Sequence, residues 1–152
     1  MQRVANCIYI KNNQILLLQK PRRGWWAIPG GKVEPEETVK QAVIREYWEE
    51  TGITIKNPVL TGIYTFLMRN GDQNEIREWM MFTFFANEGE GEAKEETLEG
   101  KLQWHPIEKV KHLPMAEGDH SIIRQALFGK DVLFGTFEYT EDFRLLSYKT
   151  DR

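Results

Sequence analysis

Cysteine is almost missing from this chain: Cys7 is the single one in 152 residues. An intrachain disulfide framework is therefore excluded, and the usage fits a reducing interior. Cys7 itself lies in a strand-like alternation and reads as a small buried residue without chemistry. No apolar run reaches the length that spans a bilayer, and the N-terminus lacks a secretory pattern, so a cytoplasmic protein with no membrane partner is expected. Charge of one sign is not in excess either. Lys and Arg total 20 against 23 Asp and Glu, a net −3 that offers no broad attraction to a nucleic-acid backbone and disfavours large nucleic-acid partners. There is no P-loop, Gly24, Gly30 and Gly31 make no dinucleotide fingerprint, and no Cys/His cluster argues for zinc.

What is present suits an ordinary globular unit. With 41% hydrophobic and 28% charged residues, residues 1–152 are expected to form a single domain with one real core. Val4 to Ile10 and Gln14 to Leu18 read as a hairpin turned by Lys11-Asn12-Asn13. Between Glu37 and Thr51, apolar residues recur every three and four positions, predicting an amphipathic helix that Gly52 terminates. Val59 to Met68 and Ile76 to Ala86 predict a long antiparallel pair turned at Arg69-Asn70-Gly71-Asp72. The acidic stretch from Asn87 to Glu99 reads as a solvated loop, and Lys101 to Trp104 as a short strand. A second helix is expected over Asp119 to Phe128, capped by Asp119 or Ser121 and ended by Gly129. Val132 to Phe137 and Phe143 to Tyr148 supply terminal strands. Two helices against a mixed, largely antiparallel sheet make an α+β layered sandwich.

The most informative segment runs from Gly31 to Ile53, GKVEPEETVKQAVIREYWEETGI. Glu46 and Glu50 stand one helical turn apart, and Glu49 lies on the same flank, so three hard oxygen donors can share one helix edge. Carboxylates this close repel one another unless something compensates them, and a divalent cation bound with a polyphosphate substrate does so. Mg²⁺ is the default for such an oxygen site, with Mn²⁺ also suited. A metal lowers the pKa of bound water, so Glu49 or Glu50 can take its proton without any nucleophilic side chain. Arg45 and Glu37 read as an ion pair that sets the loop ahead of the acids. Lys32, held by the glycine turn, can face the polyphosphate, and Arg22 and Arg23 are weaker candidates.

Gly31, Glu37, Arg45, Glu46, Glu49, Glu50, Gly52 and Ile53 match position by position a pattern of Gly, five residues, Glu, seven residues, Arg-Glu, a hydrophobic, any residue, Glu-Glu, any residue, Gly and an aliphatic. This resembles the Nudix box, with Tyr47 in place of the usual leucine-like residue. Gly24-Trp25-Trp26, Glu99 to Trp104 and Phe134-Gly135-Thr136-Phe137 extend the likeness toward the MutT-type members that hydrolyse oxidised purine nucleoside triphosphates. The resemblance implies a Nudix-type α/β/α sandwich and release of a nucleoside monophosphate and pyrophosphate. It also implies Glu46, Glu49, Glu50 and the Gly30 carbonyl as metal ligands, and Glu99 as a further base or ligand. Glu95 and Glu96 are neighbours that could be mistaken for Glu99.

For a substrate such as 8-oxo-dGTP, the resemblance places Trp26, Phe66, Met68 and Trp79 around the ring, although each could equally be core. Asp119 would read the base edge or cap the second helix. Gly118, Ala27 and Ala116 stand where oxidised-purine hydrolases carry polar or stacking groups. A nucleotide sugar, a dinucleoside polyphosphate or an RNA 5′-triphosphate would present the same phosphoanhydride to the box, and a non-catalytic nucleotide-sensing module would keep the same frame. Monomer and homodimer both remain open.

Overall fold

The computed structural model describes residues 1–70 and 75–151. The turn expected at Gly71-Asp72 lies outside the described residues. The first hairpin forms as expected from β1 (Gln2–Lys11) and β2 (Gln14–Gln19), with Asn12 and Asn13 both at positive φ (52° and 63°), the left-handed geometry a two-residue turn needs. Two short strands follow, β3 (Trp26–Ala27) and β4 (Gly30–Lys32), and then helix α1 (Val39–Thr51). Thr38 and Gln41 close a capping box at its start, and Gly52 in the left-handed region (φ 84°) ends it.

After α1 come β5 (Thr54–Lys56) and the long antiparallel pair β6 (Val59–Asn70) and β7 (Glu75–Ala86). The stretch expected to be a solvated loop instead contains β8 (Glu88–Glu90), which pairs with β5, and β9 (Glu96–Thr97), which pairs with β10 (Gly100–Pro106). Acidic composition describes side chains that do face water here, whereas the backbone ladder is set by neighbours. Gly89 lets β8 approach Tyr9, whose hydroxyl would lie 2.8 Å from an added Cβ, and Lys56 pairs with Glu90.

Helix α2 (Glu117–Phe128) begins two residues before its expected start, and β11 (Leu133–Thr140) and β12 (Leu145–Asp151) complete the chain. Neither Asp119 nor Ser121 caps α2. The cap position is Ala116, which makes no side-chain hydrogen bond, and the Tyr139 hydroxyl accepts from the Gly118 N–H at 2.8 Å instead.

Ten of the described strands form one mixed sheet in the order β12-β11-β6-β7-β1-β2-β10-β9, with β3 on β2 and β4 on β1, while β5 and β8 form a separate two-stranded ladder. Among the described residues, β1–β7 and β11–β6 are the pairs that run parallel. The side-chain alternation of β1 and β2 divides the interior in two. Ala5, Cys7, Tyr9, Leu16 and Leu18 pack with Ala42, Val43 and Tyr47 of α1, while Ile8, Ile15 and Leu17 pack with Ile122, Ile123 and Ala126 of α2. The result is the expected α/β/α sandwich. Cys7 is fully buried, which pushes its thiol pKa up and keeps it inert. Tyr47 is likewise fully buried on the core face of α1, packed edge-on to Tyr9, leaving the acids on the opposite flank.

Candidate active site

Strand β4 sets the geometry. The Cys7 N–H donates to the Pro29 carbonyl (3.1 Å) and the Val33 N–H to the Arg3 carbonyl (2.9 Å), which fixes the antiparallel alternation and turns the polar backbone groups of Gly30 and Lys32 away from β1. The Lys32 carbonyl accepts from Arg45 at 3.0 Å, and the Gly30 N–H faces the Glu50 carboxyl and favours its charged form. The Gly30 carbonyl shares that edge with the acids. The Lys32 side chain is exposed and is absent from the cleft described below, so its visible part in the site is its backbone.

Both glycines are required by close approach. A Cβ on Gly30 would sit 2.2 Å from the Ala5 carbonyl oxygen, a backbone atom that cannot yield without opening the β1–β4 pairing. On Gly31 it would sit 2.0 Å from the Glu46 carboxylate, the movable end of a side chain. Gly31→Ala is therefore expected to fold normally and to displace Glu46. Its signature is a roughly 10- to 100-fold weaker metal dependence of turnover at unchanged Tm, the usual scale for disturbing a ligand's support; unchanged metal dependence would separate Glu46 from the metal.

Arg45 organises the acids. Its Nε and Nη2 grip Glu37 at 2.6 and 2.9 Å, and its Nη1 donates to Glu46 at 2.8 Å and Glu49 at 3.2 Å, with Glu34 at 3.9 Å. This fork onto three carboxylate groups at once is a guanidinium geometry. It holds the Glu37 carboxyl down at about 2, helped by the Glu34 backbone N–H, and raises the pKa of Arg45 itself. The expected ion pair is thus present, and larger than expected, since Glu34 was not anticipated.

Glu50 lies deeper. Burial pushes its carboxyl up to about 7, Lys20 and the Gly30 N–H oppose that shift, and Glu99 and Glu46 add repulsion. Glu99 lies just before β10, its carboxylate stands 3.7 Å from the Lys20 ammonium, and its charge is felt at Glu50. Among the described residues no three His, Cys, Asp or Glu side chains are gathered tightly enough to enclose an ion, because Arg45 draws Glu46 and Glu49 onto its own guanidinium. The donor chemistry nevertheless fits a hard divalent cation: several carboxylates and a backbone carbonyl on one edge, with one partly buried acid crowded by two others.

Beside the acids opens a cleft of about 620 Å³. Trp26, Phe66, Met68, Trp79 and Asp119 all line it. Phe66 and Trp79 stack nearly parallel (5.3 Å, 7°), and Trp26 is pinned edge-on to His105 at 4.3 Å. Trp26 and Phe66 belong at the same time to the core under α2, so the choice between core and pocket was a false one for these two. Ala27 and Ala116 line the cleft with methyl groups only, widening it. Gly118 is explained by sterics, since a Cβ there would come within 2.6 Å of both Phe137 and the Tyr139 hydroxyl. Asp119 stands in the first turn of α2 with its carboxyl pushed up to about 7 by burial.

Sequence reasoning did not single out Lys20, Trp25, Arg77, Tyr139 or Phe143, all of which line this cleft. Lys20 could have been suspected from its place at the head of the charged loop. Tyr139 and Phe143 belong to the β11–β12 hairpin, whose position over the cleft only the parallel β11–β6 pairing decides.

The NUDIX domain model matches residues 1–126 of this chain. An uncharacterized Nudix hydrolase, YvcI of Bacillus subtilis, is 52% identical over 151 residues, covering 99% of this chain and 95% of that protein. The crystal structure of a mutator MutT protein from Bacillus halodurans superimposes with a TM-score of 0.94 at 53% identity, covering 99% of this chain and 98% of that one. An 8-oxo-dGTP diphosphatase of Proteus vulgaris is 42% identical over 55 residues, 34% of this chain and 49% of that protein.

Proposed function

This chain belongs to the Nudix family of hydrolases acting on phosphoanhydride bonds, and from that premise we propose that it is a nucleoside triphosphate pyrophosphohydrolase releasing a nucleoside monophosphate and pyrophosphate, with oxidised purine nucleotides such as 8-oxo-dGTP as preferred substrates. The observation that carries the reading is the position of Lys20. Its side chain lines the aromatic cleft and also faces Glu99 and Glu50, so a ring held in the cleft directs its phosphates along a cation to the acid edge. The family generally requires divalent cations, and Mg²⁺ is the ion proposed here, with Mn²⁺ able to replace it.

In this reading Glu46, Glu49, Glu50 and the Gly30 carbonyl hold the metal, which when bound supplies Lewis-acid charge neutralisation and an acidified water. Glu50, in its partly buried position beside Glu99, takes the water's proton. Arg45 and Glu37 hold the acid-bearing helix against β4. Trp26, Phe66 and Trp79 line the slot for the base, and Lys20 neutralises phosphate charge. The match to an 8-oxo-dGTP diphosphatase spans a third of the chain, so the base preference leans on the cleft. The testing experiment compares rates on 8-oxo-dGTP, dGTP, CTP, a nucleotide sugar and a 5′-triphosphorylated oligoribonucleotide at saturating Mg²⁺. The highest kcat/KM on 8-oxo-dGTP is expected, and preference for any of the last three overturns the substrate assignment.

Asp119 provides a separate check. Its folded pKa is about 7 against an ordinary value near 3.8, so the folded state holds a proton that the unfolded state has released over that interval. Stability therefore falls as pH rises from about 4 to about 7 and levels off above it. Asp119→Asn should flatten this slope in Tm. If the carboxyl also reads the base edge, the variant changes the ratio of oxidised to unoxidised purine turnover and leaves CTP turnover nearly untouched, whereas a uniform loss across substrates assigns Asp119 to the scaffold.

A further inference from the structure

The β11–β12 turn carries an unusual residue. Phe143 sits at φ 62°, a left-handed conformation that a bulky aromatic adopts only under the compulsion of its surroundings. The turn is tied by Thr140, which exchanges backbone bonds with Phe143 and Arg144, each at 2.9 Å. What the strained conformation secures is a set of contacts across the cleft. The Phe143 ring meets Trp25 edge-on at 6.3 Å and Tyr139 at 5.7 Å, and the Arg23 guanidinium lies over both the Trp25 ring (5.0 Å) and the Phe143 ring (5.4 Å). Arg23 also donates to the Asp142 carbonyl at 3.2 Å.

These contacts fasten the loop of residues 20–25 to a hairpin that lies outside the residues matched by the NUDIX domain model. The loop is itself closed at its base, where the Lys20 N–H donates to the Trp25 carbonyl (2.7 Å) and the Gly24 N–H to the Lys20 carbonyl (2.9 Å). Holding Trp25 and Arg23 therefore also holds Lys20, whose ammonium faces Glu99. One chain of contacts thus links the strained turn, the outer wall of the ring cleft and the acid edge.

We infer that Phe143 is a positioning residue for substrate: by clasping Arg23 and Trp25 it builds the outer wall of the base slot and sets Lys20 for the phosphates of a nucleoside triphosphate. The inference rests on the function proposed above. Its selective effect falls on binding, because Phe143 touches Trp25 and Arg23 directly, reaches Lys20 only through the loop backbone, and is not itself in contact with the acids.

Two variants and two readouts test it. Phe143→Gly removes the ring and relieves the positive φ, two changes that act on Tm with opposite sign. KM for the best nucleoside triphosphate is expected to rise about tenfold with kcat within about twofold, the scale on which losing two aromatic pairs and one cation–π contact loosens a binding wall. Phe143→Tyr, which keeps the ring, should restore the wild-type KM. Independently of activity, trypsin should cut Phe143→Gly after Arg22 and Arg23 about tenfold faster than wild type, because the loop is released. Unchanged KM and unchanged cleavage overturn the clasp. So does a fall in kcat and Tm together that Phe143→Tyr fails to correct, since that describes a scaffold. If wild-type protein hydrolyses no nucleotide in the panel, the functional reading fails first and the binding role falls with it, while faster cleavage of the variant would still show the loop to be held by Phe143.

Discussion

Glu50→Gln is expected to lower kcat by about 10²- to 10⁴-fold, the range ascribed to a positioned general base, and to do so without loss of thermal stability. The second half of that expectation distinguishes it from a simple structural lesion. Glu50 is partly buried, with Glu99 and Glu46 both repelling its charged form, so the neutral amide removes a conflict that the metal-free fold must otherwise tolerate. Glu46→Gln should lower kcat on a similar scale, since Glu46 is also largely shielded, with 19% of its side chain exposed, but it also loses an ion pair to Arg45. Glu49 has 50% of its side chain exposed and a 3.2 Å bond to Arg45, and its replacement should cost less. Measured kcat and Tm for the three variants at saturating Mg²⁺ settle the order. Near-normal turnover for all three would remove the acids from the chemistry.

Replacing Arg45 is expected to produce the opposite pattern, with activity and stability lost together. Arg45→Ala leaves Glu34, Glu37, Glu46 and Glu49 facing one another without their common cation and frees the Lys32 carbonyl that ties α1 to β4. Turnover should fall about 10- to 100-fold, as for other residues that orient ligands. Arg45→Lys should recover little, because an ammonium cannot grip Glu37 with two donors while reaching Glu46 with a third. The pH response carries a defined sign. Glu37 is held at about 2 in the fold, below its ordinary value, so its contribution is complete above about 4.5 and is lost as pH falls toward 2. Acid unfolding of Arg45→Ala should therefore begin at higher pH than that of wild type. A variant with wild-type Tm and acid midpoint would show that the fork does not support the fold.

The helix and its acids were legible because their information is local. A period of three to four residues placed Ala42, Val43 and Tyr47 in the core, and the same period put the glutamates on one edge. Gly52 ended the helix for a backbone reason that a single residue type reveals. The short strands β8 and β9 were hidden by acidic side chains, since composition does not report whether a backbone finds a partner. Asp119 looked like a cap because its type and place before an apolar period match one. What decided otherwise was the Tyr139 hydroxyl, which arrives from a strand twenty residues later and leaves the carboxyl to the cleft. The clasp of Phe143 on Arg23 had no signal at all in the sequence, as it depends on which edge of β6 the last hairpin joins.

An acid edge that holds metal, joined to the ring cleft through Lys20 as proposed, fixes which phosphoanhydride bond is broken. Wild-type protein given 8-oxo-dGTP and Mg²⁺ should yield nucleoside monophosphate and pyrophosphate in equal amounts, resolved by anion-exchange chromatography, and excess chelator should abolish both. Orthophosphate with a nucleoside diphosphate, or turnover indifferent to the chelator, would contradict it.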